Sequence, residues 1–147
     1  MPVYALGKDC LAYRNTGTYG SPTWSAVGAV KDVNLTSAAT KWDGSRRAVA
    51  YKQYVPTLKD LGVTFNLVYQ PADAGAGEAI RDAHFAGTII DMAFASGAIA
   101  TSGTEYMRSE WGVFGFNRNE GLEDGVTVDV ELAPYVSANA PTYTEVT

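Results

Sequence analysis

A chain of 147 residues, 46% hydrophobic and 18% charged, is long enough for one domain, spanning 1–147, with a substantial buried core. Its formal charge of −5 excludes a protein built to grip phosphate backbones, which needs clustered Lys and Arg to displace counterions. The lone Cys10 excludes an internal disulfide, and no apolar run reaches the roughly 20 residues of a membrane helix.

The opening "MPVYALGKDC" has no basic region followed by an apolar stretch, so the expectation is folding in the cytoplasm without a membrane anchor. The segment "PVYALGKDCLAY" reads as a first strand, closed by turn residues in "RNTGTYGSPTW". "SAVGAVKDVNLTS" alternates, with Ala29, Lys31, Val33 and Leu35 on one side and Val30, Asp32, Asn34 and Thr36 on the other. A long polar loop is expected from about 37 to 60, with "KWDGSRRA" as its turn-rich part.

"GVTFNLVYQP" (Gly62 to Pro71) follows, and "GVTVDVELAP" (Gly125 to Pro134) repeats its pattern near the end. In the first copy Val63, Phe65, Leu67 and Tyr69 share a face against Thr64, Asn66 and Gln70, with Val68 as the exception. In the second, Val126, Val128, Val130 and Leu132 oppose Thr127, Asp129 and Glu131. Each strand therefore has one dry and one wet face, and the wet face of the second copy is acidic and lacks lysine.

Between the copies, "ADAGAGEAIRDAHFAG" is the one convincing helix, with Asp73 as N-cap, an apolar stripe of Ala79, Ile80, Ala83 and His84, and Gly87 as its stop. "TIIDMAFA" and "EYMRSEWGVFGF" are strands, "NRNEGLEDG" is a loop, and residues from about 135 to 147 form a polar tail. The whole reads as mainly β: an antiparallel sandwich or barrel with one α-helix packed against it.

Chemistry finds little footing. His84 lies on the helix's apolar stripe and reads as structural; one histidine and one distant cysteine do not make a zinc site. "DAGAGEAI" offers Gly75 and Gly77, but Ile80 stands where a nucleotide loop needs a third glycine. Glu120, Glu123 and Asp124 read as a solvated turn rather than an acid/base pair. No catalytic residue, metal or cofactor is predicted. Of three tryptophans, Trp111 is expected in the core and Trp42 on the surface, where it suits contact with another chain. Tryptophans beside an acidic loop leave a carbohydrate-binding sandwich open as an alternative.

The order of parts resembles that of bacteriophage tail tube proteins, whose fold is shared with the tube protein of type VI secretion. The matching parts run from "TWSAVGAVKDVNLTS" through "KWDGSRRA", "YVPTLKDLGVTFNLVY", "EAIRDAHFAG" and "TIIDMAFA" to "GVFGFNRNEGLEDGVTVDVEL", covering about Thr23 to Leu132. The resemblance implies a non-enzymatic virion protein, assembled in the host cytoplasm, that polymerises as stacked hexameric rings into the tail. Strands of all subunits would join into one barrel around a lumen that conducts DNA without specific binding.

By that resemblance Asp32, Asn34, Thr64, Asn66, Thr127, Asp129 and Glu131 are expected to face the lumen, and Lys41, Trp42, Asp43, Arg46 and Arg47 to contact the neighbouring ring. An acidic lining would repel DNA, which carries about one charge per 1.7 Å of axis. The implied partners are further copies of the chain, a tape measure protein, and tail terminator or baseplate proteins. A tube in a secretion or phage-derived injection machine is the nearest alternative.

Overall fold

A computed structural model describes residues 6–28, 30–69, 76–123 and 125–147. A 3-10 turn at Gly7–Asp9 leads into β1 (Leu11–Asn15), so the first strand starts later than its sequence suggests. Next come β2 (Trp24–Ala26), β3 (Val30–Asp43), β4 (Tyr54–Val68), α1 (Ala76–Ala86), β5 (Ile89–Ala95), β6 (Glu105–Asn119), β7 (Thr127–Pro134) and β8 (Thr142–Glu145). The eight strands make one sheet among the described residues, ordered β2-β1-β5-β6-β7-β4-β3, with β8 on the first part of β6. Every pairing is antiparallel. The expected fold class is therefore present, as an open curled sheet rather than a closed barrel.

The curl follows from the dry faces. Val63, Phe65 and Leu67 of β4 and Val128, Val130 and Leu132 of β7 are buried in the same cluster as Met92 and Phe94 of β5 and Trp111 of β6. Phe65 and Phe94 sit on strands that are not neighbours, yet their rings lie 6.2 Å apart. Trp111 is fully buried and donates its indole N–H to the Met92 carbonyl at 3.0 Å, so its polar end is satisfied inside the core. The repeated segments prove to be adjacent strands: Val63 pairs with Leu132, Phe65 with Val130 and Leu67 with Val128.

Helix α1 covers the β5–β6 side of this core with Ile80 and Ala83, as its stripe predicts. His84 is structural: its Nδ1 lies 2.9 Å from the Val113 carbonyl, which can only accept, so the ring donates there. Gly87 ends the helix at φ 68°, and Thr88 N donates to the Ala83 carbonyl at 3.1 Å. The expected cap Asp73 lies outside the described residues, as do Ala29, Gln70, Pro71, Gly75 and Asp124.

The opposite face of β1, β5 and β6 carries a second, smaller cluster of Tyr13, Ala93 and Ala95, packed by Trp24, Ile99 and Tyr106. Arg108 and Asp91 form a two-pronged ion pair beside it, at 2.7 and 3.2 Å, with side chains only 12% and 13% exposed. The Tyr19 ring lies 3.9 Å from the guanidinium, and Asn15 donates to the same carboxylate at 2.9 Å. The Asp91 hydrogen bonds hold the Arg108 pKa above its ordinary value. This cluster pins the turn between β1 and β2 onto the sheet.

Three expectations need correction. The segment expected as a loop from about 37 to 60 is a long hairpin, in which only residues 44–53 connect the strands. The tail after residue 135 includes β8, paired with Glu105 to Arg108 of β6. The alternation read through "VGAVKDVNL" breaks at a bulge between Lys31 and Asn34, where Asp32 adopts φ 45°. Val30 consequently packs against the core and pairs with Leu67, whereas Lys31 pairs with Asn66 on the wet side.

Candidate functional site

The wet face spans four neighbouring strands, β3, β4, β7 and β6. Register brings Asn34 beside Thr64 and Thr64 beside Glu131, one rung along from Asn66 and Asp129. Six of the seven predicted residues, Asp32, Asn34, Thr64, Asn66, Asp129 and Glu131, line one shallow concavity of about 300 Å³. Thr127 falls outside it, half-buried at the end of the face and paired with Val68.

Asp129 is held by neutral donors. Asn66 Nδ2 donates to one carboxylate oxygen at 2.7 Å, and Asn119 Nδ2 donates to the other at 2.9 Å. Amide donors orient a carboxylate without cancelling its charge. Gly115 supports the neighbouring acid: a Cβ there would lie 3.1 Å from the Cβ of Glu131, so the glycine leaves room for that side chain over the sheet. The face is therefore a shallow polar concavity with negative charge fixed in place, and Val128, Val130 and Leu132 form its dry backing. Lys31 at its edge and Arg118, paired with Glu120 beyond it, are nearby cations.

Sequence reasoning missed Asn117 and Asn119 of β6. Asn117 pairs with Asp129 and lines the same concavity. The signal was present, since both asparagines alternate with Phe116, which packs against the core.

The second region is the far end of the β3–β4 hairpin, here called the arm. Beyond Leu61 the residues of β4 are exposed, and so are those of β3 opposite them. Thr40 and Thr57 lock the arm: their hydroxyls share a hydrogen bond at 2.7 Å, one donating to the other, and the accepting hydroxyl is left free to donate to a backbone carbonyl of the opposite strand. All five residues expected at an inter-subunit contact gather at its tip. Lys41, Trp42 and Asp43 end β3, and Arg46 and Arg47 lie in the turn.

Trp42 is 62% exposed, and the Lys41 ammonium sits 5.2 Å above the Tyr54 ring. Asp43 caps the turn: its side-chain oxygen accepts the Ser45 N–H at 2.9 Å, and hydrogen bonding from Ser45 holds its carboxyl below the usual range. Tyr51, Tyr54, Val55 and Leu58 add exposed apolar surface. The arm thus leaves several large apolar side chains uncovered in the single chain.

These two regions sit on a fold with solved counterparts. The SPP1 tail tube, determined by solid-state NMR and cryo-EM, superposes with a TM-score of 0.76 at 12% identity, covering 97% of this chain and 80% of that one. The tail of an empty gene transfer agent particle, with C6 symmetry, gives 0.71 at 15% identity and covers 95% of this chain and 98% of that one. The fold is that of a tail tube protein. It also occurs in the baseplate structure of the anti-feeding prophage, with a TM-score of 0.63, 8% identity and 99% coverage of both chains. No protein-family model matches the sequence, and no curated protein matches it. The tail-tube fold thus stands on three-dimensional likeness at low identity. No helix of the described chain is long and apolar enough to cross a membrane.

Proposed function

We propose that this chain is the repeating subunit of a phage tail tube, a structural protein of the virion tail with no enzymatic activity. It stacks as hexameric rings and conducts DNA through the bore. The observation that carries this reading is the wet face: four strands wide, acidic, amide-tethered and backed by a dry core. An ordinary surface has no reason to hold its carboxylates so uniformly on one face of adjacent strands.

Strand edges supply the means of closure. Among the described residues, β3 has no partner on its outer edge, and Gly115 to Asn119 of β6 pair only with β7. Unpaired edges of this length invite other strands. Joined edge to edge, β3 of one copy beside β6 of the next, six copies make an all-antiparallel barrel. At about 4.8 Å per strand its circumference is roughly 115 Å, ample for a duplex. Asp32, Asn34, Thr64, Asn66, Thr127, Asp129 and Glu131 face the bore, and six chains at −5 each carry −30 per ring. DNA is repelled from that wall and passes without binding.

The arm, through Lys41, Trp42, Asp43, Arg46 and Arg47, reaches the adjacent ring. A tape measure protein and terminator or baseplate proteins are the further partners, and assembly takes place in the host cytoplasm. A tube of a contractile injection machine is a second reading, favoured by the baseplate neighbour. Negative-stain microscopy of the concentrated protein tests both, because each requires rings or hollow tubes. Replacing Trp42 and Arg46 together leaves a folded protein that no longer forms tubes. A wild-type protein that stays monomeric at every concentration overturns the proposal.

A further inference from the structure

Charge is divided unevenly along this chain. Five of its eleven Lys and Arg (Lys41, Arg46, Arg47, Lys52 and Lys59) but only one of its sixteen Asp and Glu, Asp43, fall between residues 41 and 59. Asp60, at the base of the exposed stretch, is the arm's second acid, so the arm carries +3 and the remainder of the chain −8. These five cations lie on exposed positions of the arm.

The arm and the β6–β7 turn lie at opposite ends of the sheet. Asp43 pairs with Tyr54 at one end, whereas Val68 pairs with Thr127, and Thr127 with Asn119, at the other. That second end displays Glu120 and Glu123 around a fully exposed Leu122. Each end thus combines an exposed apolar residue with an excess of one charge: Trp42 on an arm where cations outnumber Asp43 and Asp60, and Leu122 on a turn with Glu123 and with Glu120, whose carboxylate is also paired with Arg118. An isolated molecule gains nothing from either arrangement, since an exposed large apolar side chain contributes no burial.

We infer that the two ends are complementary halves of one contact: the basic arm of one copy is received by the acidic β6–β7 turn of the next. This rests on the tube reading and names the receiving surface for the arm. Because the two patches differ and sit at opposite ends, the contact is head-to-tail and does not close, which is the geometry of an open filament. Trp42 packs against Leu122 at the centre, and the surrounding ion pairs set direction. A ring would dock only arm-first, since arm against arm places +3 against +3 and turn against turn places acid against acid.

Attraction between exposed charges is screened within about 10 Å at 0.1 M salt and about 3 Å at 1 M. Stacking is therefore salt-sensitive in a way that edge-to-edge strand pairing within a ring is not.

The test is a charge swap. Wild type, Arg46→Glu/Arg47→Glu, Glu120→Arg/Glu123→Arg and the quadruple variant are compared by pelleting and negative stain across a salt series. Circular dichroism checks folding, which surface substitutions on an arm and a turn leave intact. The expected result is that each double variant reduces pelletable tube at least tenfold while rings persist, and the quadruple variant restores it. Raising salt from about 50 mM to about 0.5 M should likewise shift wild type from tubes toward rings.

Tubes that survive both reversals, or a quadruple variant no better than either double, overturn the inference while leaving the tube reading standing. Wild type that forms neither rings nor tubes overturns both. Arm reversals that abolish retention of duplex DNA without affecting stacking assign the arm to nucleic acid instead, and also overturn the inference.

Discussion

Two tryptophans divide the molecule. Trp111 is fully buried in the curled sheet with its indole N–H bonded to a backbone carbonyl, whereas Trp42 is 62% exposed on an arm that touches none of the core. One side chain is used for folding and the other is held in reserve. The same division runs along a single strand: β4 alternates dry and wet from Leu61 to Val68 but is exposed on both faces from Tyr54 to Asp60. The body buries a core of its own, whereas the arm is held by strand pairing and the Thr40–Thr57 contact and buries no apolar cluster.

The sharpest way to break this comparison is to truncate both tryptophans. Trp111→Ala leaves a cavity at the centre of the main cluster and should cost about 3–5 kcal/mol, a large fraction of a typical domain's stability. Trp42→Ala should change the unfolding free energy by less than about 0.5 kcal/mol, since its ring leans only on the turn at Gly44 and belongs to neither core cluster, yet abolish tubes. Thermal and urea denaturation check the first statement, and microscopy of the same samples the second. If Trp42→Ala melted the body, the arm would belong to the fold.

The next effect concerns the body's polar pin. Arg108→Met strands Asp91 at a site where both side chains are nearly covered, so the loss should be about 3 kcal/mol. Asp91→Leu combined with Arg108→Met should recover much of it, because the pair is then replaced rather than broken. Denaturant titration of the three variants gives the comparison directly.

How far these regions were legible depends on whether burial enforces a period. Val63 to Leu67 and Val128 to Leu132 alternate strictly because one face meets the core, so β4, β7 and the wet residues between them could be read in advance. Helix α1 and Trp111 were legible for the same reason. The arm was not, because a hairpin with no core face has nothing to impose alternation on its residues, and "KWDGSRRA" then looks like a loop. The bulge at Asp32 hid the true faces of Val30 and Lys31: a single residue at φ 45° slips the register, and aspartate tolerates that conformation without needing the glycine that would signal it. Strand β8 was illegible because its pairing with β6 is a matter of backbone hydrogen bonds on an open edge, available to almost any sequence.

A smaller effect on stability, and a larger one on function, separates the wet face from the core beneath it. Asp129→Lys with Glu131→Lys alters exposed side chains only, so folding and ring formation should persist with a loss of about 1 kcal/mol or less. Six chains' worth of reversed charge per ring would instead turn a repelling wall into an attracting one. Purified variant tubes should retain duplex DNA on co-sedimentation where wild-type tubes do not, and the retention should fall steeply with added salt. Variant tubes that ignore DNA would move the acidic face out of the bore.

The smallest expected effect lies in the arm's own turn. The Asp43 carboxyl sits below its ordinary pKa because Ser45 donates hydrogen bonds to the charged form. A depressed folded-state value means the carboxylate's contribution to turn order is fully present above the unfolded aspartate value of about 3.9 and is lost as pH falls through the lower folded value. Amide resonances of Ser45 and Gly44 should therefore titrate with a midpoint below that of a free aspartate, while resonances of Trp111 and its neighbours stay still across the same window. Asp43→Asn keeps an accepting oxygen and should abolish the transition without disordering the turn; Asp43→Ala should disorder the turn at every pH and leave the melting temperature of the body unchanged. A body that shifted with Asp43 would mean that arm and core share one cooperative unit, and the division drawn between the two tryptophans would have to be redrawn further toward the tip.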